Sequence, residues 1–338
     1  MSEHKRALIT GGAGFIGLHL ARRLVSDGWR VDLLDNFSRG VQDDELRALT
    51  GGGDVELISC DVLDRGALES VLPKKGVGRY GLVFHLAAII GVANVLNRPY
   101  AVLRDNVAML ANVIEFAQSH PGLSRFVFAS TSEVYAGTLQ HFTLPVPTPE
   151  STALAITDVD HPRTSYMLSK IYGEAMCHQS GLPFTLIRPH NFYGPRMGLS
   201  HVVPELLKKA HSTAEGGSLE VASTGHRRAF CYIEDAVELV ARAAQMESCA
   251  GKTLNIGNQD VELSIGELAQ MILTVTGKPL RINAGPETQG SPSRRCPDMT
   301  LTTSLTGYRP SIDLREGVER TYDWYRKNVF DGNQASAK

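Results

Sequence analysis

Residues 10–17 read TGGAGFIG, and this short run constrains the chain more than any other feature. It follows a β-rich stretch (6–10) and opens an amphipathic one (17–27). Gly11 and Gly14 let a backbone turn tightly and approach a diphosphate. Gly17 lets the following helix pack closely on a sheet, and the helix start around Phe15 and Ile16 offers unpaired N–H groups to an anion. A glycine run at a strand-to-helix junction therefore predicts a phosphate-cradling turn at the end of a parallel strand.

The pattern around it agrees. Runs 30–34, 55–59, 82–85, 125–129 and 184–188 read as further strands, and 64–71, 101–118 and 166–180 as helices between them. Such alternation predicts an α/β fold, a doubly wound parallel sheet with helices on both faces. The stretch 137–164 carries Pro145, Pro147, Pro149 and Pro162 and reads as a long irregular loop. Loops of that length in a compact domain are usually functional. After Arg188 the alternation decays. The expected organisation is a dinucleotide-binding domain over 1–188 with a returning segment near 229–256, a smaller α/β substrate lobe from 189–228 and 257–330, and a frayed tail over 331–338.

Composition narrows the partners. The 338 residues include 34 Lys and Arg against 36 Asp and Glu, a net charge of -2, which gives no reason to expect nucleic acid or an anionic membrane surface. No apolar run approaches the ~18 residues of a membrane span. The opening MSEHKRALITGG lacks the apolar core of an export signal, so a cytoplasmic enzyme is expected. Cys60, Cys177, Cys231, Cys249 and Cys296 include no CxxC pair and are expected to be reduced thiols. No HxxxH or HExxH pattern occurs among the 11 histidines, and no metal site is expected.

Three clusters carry chemistry. Asp35 ends the second strand, 18 residues beyond Gly17, where a carboxylate meets the adenosine ribose and repels a 2′-phosphate. NAD is therefore expected over NADP, with Arg39 nearby as the one contrary feature. Asn36 adjoins the ribose carboxylate, and Asp61-Val62 after the third strand falls where the adenine edge would lie; a helix cap is the plainer reading of Asp61. Tyr166 and Lys170 stand at i and i+4 on one helix face. An ammonium near a phenol stabilises the phenolate and lowers its pKa, which makes the phenol a usable base. Thr131, Ser132 and Glu133 follow the fifth strand directly, where parallel strands open on the ligand crevice. Their hydroxyls suit a substrate oxygen, and Glu133 suits proton movement.

Together these motifs resemble the extended short-chain dehydrogenase/reductases that act on nucleotide sugars as epimerases, dehydratases and decarboxylases. TGGAGFIG, HLAA at His85, Leu86, Ala87 and Ala88, STSEVY at 130–135, Tyr166-x-x-x-Lys170 and RPHNFYGPRM at 188–197 stand in the expected order, and the resemblance runs from about Lys5 to Arg326. It implies a Rossmann fold and a catalytic set of Tyr166, Lys170, Thr131, Ser132 and Glu133. Leu86, Ala87, Ala88 and Asn106 are implied to line the NAD site with the glycine turn. Asn191, Arg196, Arg228 and Arg295 are implied to meet a nucleotide sugar, a UDP-sugar above all. The triplet Thr131-Ser132-Glu133, the segment GHRRAF at 225–230 and RRCPD at 294–298 are similar to those of UDP-glucuronate decarboxylases. In that reading Tyr166 takes the proton of the sugar 4-hydroxyl, the C4 hydride passes to nicotinamide, and the resulting 4-ketone lets a C5 carboxylate leave as carbon dioxide. Lys170 holds the nicotinamide ribose, Arg228 and Arg295 the diphosphate, or Arg228 the sugar carboxylate. Epimerisation and 4,6-dehydration start from the same 4-ketone and stay open. A non-catalytic NAD-binding regulator is the alternative of another class. A homodimer through the helices 101–118 and 166–180 is expected from their broad apolar stripes and from pairing in related enzymes.

Overall fold

Side chains alternate across the strands, and the alternation sorts them into two cores. In β1 (Arg6–Thr10), Ala7 and Ile9 enter one core and Leu8 the other. β2 (Arg30–Asp35) divides Val31 and Leu33 from Leu34 in the same way. After β3 (Val55–Ser59), β4 (Leu82–His85) separates Leu82 and Phe84 from Val83. β5 (Arg125–Ala129) separates Val127 and Ala129 from Phe126 and Phe128, and β6 (Phe184–Pro189) separates Ile187 from Leu186. A sheet with both faces apolar must be covered on both. The helices Phe15–Ser26 and Ile233–Gln245 cover one face, and Pro99–Gln118 and Thr164–Gln179 cover the other.

The computed structural model describes residues 5–71, 80–142, 144–288 and 292–332. Residues 333–338 of the expected frayed tail lie outside the described residues. Beyond β6 come β7 (Phe192–Tyr193), β8 (Ser218–Val221), β9 (Arg227–Ala229), β10 (Cys231–Tyr232), β11 (Thr253–Ile256), β12 (Glu262–Ser264), β13 (Arg281–Ala284) and β14 (Arg294–Arg295). The large sheet has seven strands in the order β11-β6-β5-β4-β1-β2-β3, all paired in parallel. This is the doubly wound Rossmann arrangement expected from the sequence. The strand order reverses between β1 and β4, so the turns leaving those two strands flank the crevice where such sheets bind ligands. The small sheets, β10-β7, β12-β9-β14 and β13-β8, lie outside it.

The stretch 137–164 differs from the irregular loop expected. It begins with a helix, Ala136–His141. The helix is locked to the returning chain by Thr138, whose Oγ1 donates to Ala153 O and accepts from Ala155 N, both at 2.8 Å. Gly137 permits this: a Cβ there would sit 2.2 Å from Ala155 O.

Candidate active site

The glycine turn is held to its neighbours by the backbone. Gly11 N and Gly12 N both donate to Leu34 O, at 2.8 and 3.1 Å. Gly11 has φ +71°, and a Cβ on it would come within 2.9 Å of Ala87 N. The turn and the segment Leu86–Ala87–Ala88 therefore touch backbone to backbone; Leu86 N also donates to Thr10 O, and Ala87 N to Thr10 Oγ1. Gly17 is needed for packing, since a Cβ would lie 2.6 Å from Gly11 O. Helix Phe15–Ser26 starts at Gly14 with no side-chain cap. Its first N–H groups at Phe15, Ile16 and Gly17 point past the turn, an arrangement suited to a diphosphate.

Asp35 closes β2, 8% exposed, and accepts from Ala13 N (3.0 Å) and Phe37 N (2.8 Å). Burial pushes its carboxyl above the usual range, while the two backbone donors hold it down. Asn36 donates to Asp61 Oδ2 at 3.0 Å, and Asp61 Oδ1 accepts from Leu63 N, so both line the same corner, with Val62 buried behind them. These groups fit the diphosphate and adenosine ribose of a dinucleotide.

Two residues expected at ligands also hold backbone. Asn106 is buried and exchanges both amide contacts with Ile89 (Oδ1 to N 2.7 Å, Nδ2 to O 3.1 Å), fixing the segment after β4. Arg196, expected against the nucleotide sugar, donates from Nη1 to Ala13 O and Gly14 O, from Nη2 to Val41 O, and from Nε to Asp43 at 2.5 Å. Its guanidinium fork matches the carbonyls of the glycine turn, so it ties that turn to the segment 41–43. Asn191 has φ +41° and spends one amide N–H on Ala229 O, 2.9 Å away.

The second cluster forms where β5 ends. Thr131 caps the short turn Ser132–Tyr135, accepting from Glu133 N, and Ser132 is buried beside it. Lys170 lies one turn further along the helix. Its Nζ donates to Ala129 O at 2.7 Å and sits 5.9 Å from the centre of the Tyr166 ring. The expectation that this ammonium lowers the phenol pKa is not met in the protein alone. Burial and the Glu133 charge push Tyr166 up, against weaker opposition from Thr131 and Arg39. The same burial lowers Lys170 to about 8.

Glu133 meets Arg295, Oε1 to Nη1 2.8 Å, with 43% of the carboxylate side chain and 12% of the guanidinium side chain exposed. Arg295, expected at a diphosphate, thus turns to the nearest carboxylate. Arg295 and Arg228 are register partners on the neighbouring parallel strands β14 and β9, so two guanidiniums stand side by side. Arg228 donates to Arg227 O and Pro292 O, and burial beside Arg295 lowers it to about 10. Arg295 chiefly, with Arg163 and Arg228, holds Glu133 below the ordinary carboxylate range. Glu133 is therefore ionised at neutral pH. Arg163 was not singled out in the sequence; its position one helical turn before Tyr166 was the available signal.

Under this cluster runs a buried network. Glu174 takes Arg188 in a fork (Nε–Oε1 2.9 Å, Nη2–Oε2 2.6 Å) and accepts from Ser130 Oγ at 2.5 Å. Arg188 continues to Tyr135 OH, and Tyr135 OH donates to Asn255 Oδ1. Among the described residues no group of three or more His, Cys, Asp or Glu is placed to hold a metal ion, and no helix is long and apolar enough to cross a membrane.

Comparison with known proteins places this geometry. Residues 7–257 match the model of the NAD dependent epimerase/dehydratase family. The UDP-N-acetyl-alpha-D-glucosaminuronate decarboxylase of Bacillus cytotoxicus is 34% identical over 96% of this chain and 98% of its own length. UDP-glucuronic acid decarboxylase 1 of Xenopus tropicalis is 31% identical over 97% of this chain and 73% of that protein. Among solved structures, the UDP-glucuronic acid 4-epimerase from Bacillus cereus, in complex with UDP-glucuronic acid and NAD, superposes with a TM-score of 0.79 at 25% identity, covering 96% of this chain and 100% of that one. The chain belongs to the NAD-dependent epimerase/dehydratase family, and its cofactor is NAD.

Proposed function

We propose that this enzyme is a UDP-hexuronate decarboxylase. The observation that carries the reading is the Glu133–Arg295 pair with Arg228 at its side, opposite Tyr166 and Thr131. An ionised carboxylate among three arginines leaves a cationic pocket, which suits a sugar that itself bears a carboxylate. The decarboxylases named above support the same choice.

Gly11–Gly17 and Asp35 would hold NAD, which would supply the hydride acceptor for C4 of the sugar. Tyr166 receives the proton of the 4-hydroxyl, and Thr131 and Ser132 fix that oxygen. Lys170 holds the nicotinamide ribose. With C4 a ketone, the C5–C6 bond breaks, carbon dioxide leaves, and the electron pair becomes the C4–C5 enolate. Glu133, through a water, delivers the proton that the enolate takes up at C5 in place of the carboxylate. Arg228 orients the departing carboxylate or the diphosphate. The nucleotide sugar occupies the crevice between the large sheet and a lobe built from 189–228 and 257–330. The chain pairs with a second copy through Pro99–Gln118 and Thr164–Gln179, whose outer faces expose Tyr100 (73%) and Tyr172 (55%).

The test is incubation with UDP-glucuronate and UDP-N-acetylglucosaminuronate in the presence of NAD, followed by mass spectrometry. Loss of carbon dioxide is expected. A product of unchanged mass overturns the reading in favour of a 4-epimerase, the activity named for the Bacillus cereus structure.

A further inference from the structure

His190 is 1% exposed and lies next to the active-site strands, yet nothing in the reaction above uses it. Its tautomer follows from its neighbours. Asn255 donates from Nδ2 to Thr148 O (3.0 Å) and Asp298 O (3.2 Å), so its Oδ1 is an acceptor. That Oδ1 receives Tyr135 OH at 2.9 Å and meets His190 Nε2 at 3.0 Å. His190 Nε2 therefore carries the proton, and Nδ1 is a bare lone pair. This Nδ1 is buried and has no hydrogen-bond partner in the protein. A buried unmet acceptor is costly.

A complementary group is carried by the segment that packs on His190. Arg295 Nε is a buried N–H donor, also without a protein partner. His190 packs against the segment that carries it: a Cβ on Gly257 would lie 3.0 Å from His190 Cβ and 2.9 Å from Pro297 Cγ, so His190 and Pro297 flank one glycine. Asn255 binds the same segment at Asp298. The Arg295 charge is near enough to depress the imidazole, which burial already drives down to about 3. His190 is thus a neutral acceptor throughout the working pH range.

We propose that His190 is a positioning residue for Arg295, its Nδ1 accepting the Nε–H of that arginine through one bridging water. Nη1 of Arg295 is then aimed at Glu133, and the guanidinium is held at both ends. The inference takes its consequence for turnover from the proposed decarboxylation, but the structural claim stands apart from it.

Two measurements test it. In the NAD-bound enzyme labelled with ¹⁵N-histidine, the His190 Nδ1 resonance should show a hydrogen-bonded acceptor that does not titrate between pH 5 and 9, and it should move to the free-acceptor position in Arg295→Met. A resonance unchanged in Arg295→Met overturns the proposal, whatever the substrate is. In turnover, His190→Phe should lower kcat about tenfold with KM little changed, and the loss should vanish in the Arg295→Met background, as coupled neighbours behave. Equal losses in both backgrounds would mean that His190 merely supports the fold.

Discussion

Glu133 and Arg295 are 162 positions apart in sequence, and their side chains meet at 2.8 Å. The pair fixes the charge state of the site. With Arg295 in place the carboxylate is ionised, and its charge disfavours ionisation of Tyr166. Glu133→Gln removes that charge at nearly constant volume. Turnover should fall roughly 10²–10⁴-fold, the usual range for a lost proton-transfer group, while the Tyr166 phenol should ionise at lower pH in an ultraviolet titration. A variant turning over within a few-fold of the parent would remove Glu133 from the mechanism.

Tyr166→Phe keeps the ring and deletes the base. The expected loss in kcat is about 10²–10⁴-fold, with NAD affinity by calorimetry close to that of the parent. Thr131 still caps the turn through Glu133 N in this variant, so the fold should hold.

Burial of Lys170 favours function over stability. The group is 4% exposed and its pKa falls from 10.5 to about 8. Below pH 8 the folded state carries the full cost of the buried ammonium, about 3 kcal/mol by linkage. Between pH 8 and 10.5 the unfolded chain binds more protons, so stability rises with pH there. Lys170→Met forfeits the bond to Ala129 O, about 1 kcal/mol. Cofactor-free Lys170→Met should therefore resist urea better than the parent at pH 7, and the gap should close by pH 10.

Acid acts through two histidines. His85 and His190 are each 1% exposed and lowered to about 3. Their unfolded values are near 6.5. The stability they confer is complete above 6.5 and drains as pH falls from 6.5 towards 3, about 2 kcal/mol for each at pH 5. A urea midpoint that is flat from pH 7 to pH 5 would contradict this.

The sequence carried the sheet well because its signals are local. The six runs read as strands match β1 to β6 to within a residue, since short β-rich apolar runs bounded by turns need no tertiary information. The helix Ala136–His141 was hidden by the prolines that follow it, and it is held by Thr138 and Ala155 rather than by propensity. The site was legible as motifs but not as contacts. Arg196 and Arg295 both look like ligands for phosphate; which anion or carbonyl each reaches depends on segments more than 150 positions away. His190 gave no local signal, because its meaning lies in Asn255 and in the packing around Gly257.

The path of the chain bears on how such an enzyme can be rebuilt. It leaves the large sheet after Pro189, forms β7, β8 and β9, and comes back through Ile233–Gln245 to lay down β11 as the edge strand beside β6, before leaving again for β12 to β14. The residues that face the crevice from outside the sheet are therefore not one cassette. Exchanging them with a relative requires at least three splice points, and a single crossover near 190 would trade away an edge strand together with a helix that covers the core. Recombination by one cut is a poor route to new specificity in this architecture, and changes scattered over β9, β14 and the turn after β5 are the accessible one.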